Sequence, residues 1–296
     1  MIIISVYGGI GNQMFQYALG KSLSNILNEK VKYEYSYNLT RTDFNPADID
    51  SIFNIFDLSG ELASQKEIQY FKGPQNINIK ILAKLFQKTH KFFYKKRRKI
   101  FFEESSCFNE KVFEFSGDYY LNGYWQSERY FVQIKNTILN EFKFKLPSDE
   151  KLLSLTYKIQ QTESVSVHLR GRDYLSKSYH FTCDISYYKK CFDHIKKKVK
   201  DPHFFIFSDD PDWAKRFIQL DGEYTFVDIN KWNKSSIEDM RLMSMCKYNI
   251  IANSSFSWWA AWLNVNPNKL ILAPKKWFNS SKVNTEDLVP DSWIRI

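Results

Sequence analysis

The chain of 296 residues is poor in cysteine (four), glycine (ten), proline (eight) and histidine (five). It has no run of about 18 apolar residues, the length a membrane-crossing helix needs. The cysteines, Cys107, Cys183, Cys191 and Cys246, stand in or beside apolar runs without CxxC spacing. That excludes a disulfide framework and a zinc site, and it points to a reducing compartment, the cytoplasm. Scarce glycine excludes fibrous repeats, and 44% hydrophobic with 25% charged residues excludes a disordered chain. Met1-Ile2-Ile3-Ile4-Ser5-Val6 runs into a glycine turn without a charged leader region, so no secretory signal is expected.

Acidic residues are missing from one stretch in particular. Lys80, Lys84, Lys88, Lys91, Lys95, Lys96, Arg97, Arg98 and Lys99 lie between residues 80 and 99 with no acid among them, and these nine equal the whole net charge of +9. The rest of the chain is neutral. A nucleic-acid binder is therefore a poor reading, although Lys91-Phe92-Phe93-Tyr94-Lys95 has the basic-aromatic look of one. At helical spacing Lys80, Lys84, Lys88, Lys91 and Lys95 share an arc of about 80°, with Ile81, Leu82, Leu85, Phe86, Phe92 and Phe93 on the adjoining arc. Two readings stand: a solvated helix face packed on its own domain, or peripheral contact with the anionic inner face of a membrane.

The length suggests about two domains. Residues 2–6 read as a buried strand, Gly8-Gly9-Ile10-Gly11 as a turn, and Phe15, Leu19, Ser22, Leu23 and Ile26 as one face of a helix, followed by a strand at 31–36. Residues 40–140 are expected to mix helix and strand. From Val165 onward, apolar strands at 165–169, 204–208, 224–228, 249–252 and 270–273 alternate with helices at 186–199, 211–219, 236–246 and 256–264. That rhythm means parallel strands with right-handed crossovers. Asp210-Pro211 reads as an N-cap with Pro in the first helical position, and Ser235-Ser236-Ile237-Glu238 as a capping box. Pro147-Ser148-Asp149-Glu150 is the most linker-like stretch, dividing the chain into 1–150 and 151–296.

In parallel sheets ligands bind beyond the carboxyl ends of strands, and four such loops carry chemistry. Gly8-Gly9-Ile10-Gly11-Asn12-Gln13 permits close backbone approach, but its sixth position counted from Gly9 is Met14, and Glu29 and Glu34 are misplaced for a dinucleotide ribose. His168-Leu169-Arg170-Gly171-Arg172-Asp173 places an imidazole and a guanidinium on one side of a strand end, suited to phosphate. Phe207-Ser208-Asp209-Asp210-Pro211-Asp212 reads either as a DxD metal site through Asp210 and Asp212 or as a helix start that leaves Asp209 to contact a guanine base. Ala252-Asn253-Ser254-Ser255-Phe256 opens a helix with small polar residues, an anion site by geometry, while Trp258, Trp259 and Trp262 suit the core.

Taken with Leu121-Asn122-Gly123-Tyr124-Trp125-Gln126, these segments resemble the α-1,2-fucosyltransferases of glycosyltransferase family 11, with matches in order from residue 8 to 262. The resemblance implies a GT-B-like fold, two Rossmann-like α/β domains facing across a cleft. The first would be the acceptor side and the second the donor side. It implies GDP-β-L-fucose as donor substrate with no cofactor and no metal, inversion at the anomeric carbon, and transfer to the 2-OH of a terminal galactose-type sugar in surface glycan synthesis, on an acceptor that could be lipid-linked. Arg170, Asp173 and His168 are the candidate catalytic residues. Asn12, Gln13, His168, Arg170, Asp209, Asn253, Ser254, Ser255 and Phe256 are the candidate contacts to the nucleotide sugar. The family's His-x-Arg-Arg-x-Asp differs here, its second Arg displaced from position 171 to Arg172. The alternatives carried beside this reading are a metal-dependent transferase of another nucleotide sugar and a nucleic-acid-binding protein.

Overall fold

The computed structural model describes residues 1–35, 51–72, 99–145, 147, 149–170, 183–218, 221–229, 236–280 and 283–296. The basic segment 80–98, residues 171–174 with Asp173 and Arg172, and Ser235 of the expected capping box lie outside the described residues. The chain divides into two compact units, Met1–Lys143 and Phe144–Ile296. Both are α/β with parallel sheets, the Rossmann-like, GT-B-like organisation expected.

In the first unit β1 (Ile2–Ser5), β2 (Val31–Glu34), β3 (Glu61–Leu62), β4 (Lys99–Phe102) and β5 (Tyr119–Asn122) form a five-stranded sheet in the order β3-β2-β1-β5-β4. Ile2, Ile3 and Ile4 are fully buried, as a central parallel strand covered on both faces requires. Helix α1 (Ile10–Leu27) buries Met14, Phe15, Tyr17, Ala18, Leu19 and Leu23, leaves Ile26 exposed, and stops where Asn28 turns left-handed at φ 52°. Shorter helices α2 (Ile52–Ile55), α3 (Gln65–Lys72) and α4 (Lys135–Glu141) complete the unit. At its other end β4 starts with Lys99, whose ammonium lies 4.7 Å from the Tyr119 ring centre.

The second unit holds α5 (Glu150–Gln161), β6 (Glu163–Leu169), α6 (Ile185–Lys198), β7 (Pro202–Ser208), α7 (Pro211–Phe217), β8 (Tyr224–Val227), α8 (Ser236–Met245), β9 (Tyr248–Ile250), α9 (Ser255–Trp262), β10 (Ile271–Ala273) and β11 (Ile294–Arg295). Its six-stranded sheet runs β11-β10-β9-β6-β7-β8. Val165, Val167, Leu169, Phe204 and Ile206 of the central strands pack against Tyr188, Cys191, Phe192 and Ile195 of α6. Trp258 and Trp259 are fully buried and Trp262 nearly so, and the Trp258 indole donates to the Leu288 carbonyl at 2.8 Å. The linker-like stretch has a second use: Asp149 accepts from the Lys151 and Leu152 amides at 2.8 and 3.2 Å and caps α5. All four cysteines are free thiols, and burial pushes that of Cys191 up to about 12. Among the described residues no helix is long and apolar enough to cross a membrane.

Candidate active site

Strand β6 is where the second sheet changes direction. From it the chain builds β7 and β8 on one side, then returns to place β9 and β10 on the other, which opens a crevice beyond the carboxyl ends of β6 and β9. Register puts Val167 beside Ile250 and Leu169 beside Ser208, so the loops after β9, β6 and β7 are neighbours.

His168 sits one residue before the end of β6 and is 4% exposed. Its carbonyl accepts from the Tyr188 hydroxyl at 2.9 Å, its ring lies 5.8 Å from that of Phe256, and its buried Nδ1 has no hydrogen-bond partner among the described residues. Burial first, and the neighbouring Arg170 second, push the imidazole down to about 3, so it is neutral at physiological pH. Arg170, two residues on, shares its side of the strand, with Nε 3.6 Å from Oδ2 of Asp209 at the end of β7.

The DxD reading gains no support here. The Asp210 carboxylate caps α7 by accepting from the Trp213 amide at 3.0 Å, while Asp212 is 79% exposed beside Lys215 at 3.7 Å. The two carboxylates answer to different local partners. Among the described residues no three His, Cys, Asp or Glu side chains are grouped to hold a metal ion.

Across the crevice Ser254 occupies the N-cap of α9, yet its side chain makes no capping hydrogen bond. The first-turn N–H groups of Ser255, Phe256 and Ser257 thus lack the side-chain acceptor that closes most helices, the arrangement that suits an anion. Asn253 is tied into the fold: its amide donates to the Trp277 carbonyl at 2.9 Å and accepts from the Cys183 thiol at 3.5 Å. A buried neutral imidazole therefore lies near the open start of α9, and the guanidinium two residues on reaches Asp209 after β7. Sequence reasoning passed over Tyr188 and Cys183, whose side chains reach this edge from around α6. It also passed over a carboxyl group: the Asp239 Oδ1 in the first turn of α8 is enclosed, and burial, with Asp228 and Glu238 adding, raises that carboxyl to about 8.

In the first unit the corresponding crevice lies between β1 and β5. Gly8 turns the chain at φ +83°, and a Cβ there would stand 3.0 Å from Asn12 Nδ2. Gln13 is expected to contact the ligand, and the structure ties its side chain to the backbone of the turn. It is fully buried, donates to the Gly8 carbonyl at 2.9 Å and accepts from the Ile52 amide at 3.2 Å, so it braces the turn from within. Gln16 braces likewise, accepting from the Tyr7 amide and donating to the Gly123 carbonyl, both at 2.9 Å. Asn12 remains at the edge, its Oδ1 accepting from Gln126 Nε2 at 2.8 Å. The 121–126 motif is held by Glu103, whose carboxylate accepts from the Tyr124 and Trp125 amides at 2.6 and 3.0 Å. Gly123 leaves room for that clamp, since a Cβ there would meet Glu103 Cβ at 2.4 Å.

Comparison with known proteins places these edges in context. The family profile described as Glycosyl transferase family 11 matches residues 1–296. An α-1,2-colitosyltransferase of Escherichia coli is 32% identical, the match covering 100% of this chain and 99% of that protein. The O-antigen biosynthesis glycosyltransferase WbnK of Escherichia coli is 29% identical over 98% of both chains. Among solved structures the fucosyltransferase NodZ from Bradyrhizobium superposes with a TM-score of 0.52 at 12% identity, covering 88% of this chain and 91% of that one, a likeness of fold.

Proposed function

From the premise that this chain belongs to glycosyl transferase family 11, and is a glycosyltransferase, we propose that it moves L-fucose from GDP-fucose to the 2-OH of a terminal galactose-type sugar, with inversion and without a metal ion. The observation that carries this reading is the carboxyl end of β6, where neutral His168 lies near the open N-terminus of α9 and Arg170 beside it reaches Asp209. As the acceptor oxygen attacks the anomeric carbon and the bond to the β-phosphate breaks, negative charge grows on the departing GDP. A guanidinium and first-turn N–H groups fixed in advance stabilise that charge and serve in place of a metal. His168 and Asp209 hold the nucleotide, Asp209 taking N–H groups of the guanine. Asp173 receives the acceptor proton, and Asn12 acts on the sugar side. The first unit is assigned to the acceptor and the second to the donor.

The α-1,2 linkage in the name of the colitosyltransferase supports attack by a 2-OH, and the O-antigen role in the name of WbnK supports a surface glycan as acceptor. Activated colitose is the second donor reading, favoured by that same relative. The enzyme is assigned to the cytoplasm, with the basic segment 80–99 at the anionic inner membrane face, where lipid-linked glycans are presented. Incubation with GDP-fucose and lactose in EDTA, followed by NMR of the product, tests the chemistry. The expected product carries α-linked fucose on O2 of galactose. A β-linkage, attachment at another oxygen, or loss of turnover in EDTA contradicts the proposal, and turnover of activated colitose alone moves the donor assignment.

A further inference from the structure

The carboxyl edge of the first sheet differs in chemistry from that of the second. Tyr7 follows β1, and its ring centre lies 5.2 Å from that of Tyr124, which follows β5. Tyr124 is 44% exposed, yet neither ring hangs on a loose loop. The Tyr7 amide is held by Gln16 and the Tyr124 amide by Glu103. Around the pair stand carboxamides: the Tyr7 hydroxyl donates to Asn122 Oδ1 at 3.4 Å, and Gln126 donates to Asn12 Oδ1 at 2.8 Å. That last bond uses one end of each amide and leaves Asn12 Nδ2 to donate and Gln126 Oε1 to accept. Beside them the turn is open, since a Cβ on Gly9 would meet nothing within 4 Å.

Uncharged donors and acceptors next to a braced aromatic pair, Tyr124 exposed and Tyr7 half-buried, suit a ligand that is itself neutral, with an apolar C–H face and a rim of hydroxyls. They do not suit a diphosphate, which asks for cations or helix N–H groups. We propose that Tyr7, Tyr124, Asn12, Asn122 and Gln126 form a hexopyranoside subsite that receives the galactose ring of the acceptor, its apolar face on Tyr124 and its hydroxyls on the amides. The proposal rests on the galactoside-transferase reading above and names the residues that hold that substrate. Because both rings sit on fixed backbone, little ordering is lost when the sugar docks.

Saturation-transfer NMR with methyl β-galactopyranoside, without nucleotide, reads the subsite directly, and calorimetry with GDP reads the other unit. Tyr124→Ala is expected to weaken galactoside binding and raise the acceptor KM by about tenfold, while Tyr124→Phe keeps both and GDP affinity stays unchanged. Equal galactoside binding by Tyr124→Ala, no glycoside binding by the unsubstituted protein, or a matching loss of GDP affinity would overturn the assignment. Circular dichroism checks that the variant is folded. If galactoside binds at Tyr124 but never receives fucose, the proposed reaction fails and the subsite stands. If fucose is transferred with an unchanged acceptor KM in Tyr124→Ala, the subsite fails and the reaction stands.

Discussion

His168 shows how one side chain's surroundings set its chemistry. A histidine at a strand end next to an arginine reads equally well as a general base or a nucleotide contact, and enclosure favours the second. With its imidazole pushed down to about 3, His168 is neutral near pH 7. Its folded value lies below the ordinary one, so as pH falls from about 6.5 the unfolded chain takes up a proton that the folded chain refuses. The stability His168 contributes is therefore present above that pH and lost toward 3. Ring-nitrogen NMR between pH 8 and 5 is expected to show no titration of this residue, and His168→Gln to lessen the acid loss of stability by about 2 kcal/mol at pH 5. An inflection near 6.5 would contradict both. Gln13 teaches the opposite lesson. A carboxamide after a glycine turn is as fit to brace as to bind, and the bracing shows only in its pairing with the distant Ile52 amide.

Among the elements, the helix starts divide into those that are closed and those left open. Asp149, Asp184 and Asp210 each cap their helix with a side-chain oxygen, whereas α1 and α9, which begin at the two crevices, have no side-chain cap, and neither has the short α4. The Asp210 cap was legible because Asp-Pro leaves few alternatives, while α5 was not, because Pro147–Glu150 reads as a linker until the Asp149 cap is seen. Strands from β6 to β10 were legible as short apolar runs between helices of regular length. Strands β4 and β5 were not, since β5 is defined by pairing with Ile2–Ile4 at the far end of the unit. Helix α8 opens with a strained choice. The raised Asp239 carboxyl favours the protonated form in the folded state, so its contribution is intact below the ordinary aspartate range and is lost as pH rises through about 8. Asp239→Asn is expected to leave Tm unchanged at pH 3, below the ordinary aspartate value, and to stabilise the protein at pH 9 by up to about 5 kcal/mol. Equal Tm values for both proteins at pH 9 in thermal melts would show that the carboxyl is not so burdened.

On the scale of the whole molecule, two sheets of the same parallel design present different chemistry at their carboxyl edges. The second offers a guanidinium, a neutral imidazole and an open helix end, and the first offers tyrosines and carboxamides. The proposed reaction calls for one site that holds a diphosphate as it gains charge and another that holds an uncharged sugar, and the two edges differ in that sense. Little of this is visible in net charge. The +9 belongs to the segment 80–99, and the remainder of the chain, with both crevices, is neutral. The most direct measurement is kcat/KM for GDP-fucose and a β-galactoside in Arg170→Ala against the unsubstituted protein. Loss of the charge contact at the departing phosphate is expected to lower it by about 30- to 1,000-fold, or about 2–4 kcal/mol. Turnover close to normal in that variant would contradict the account.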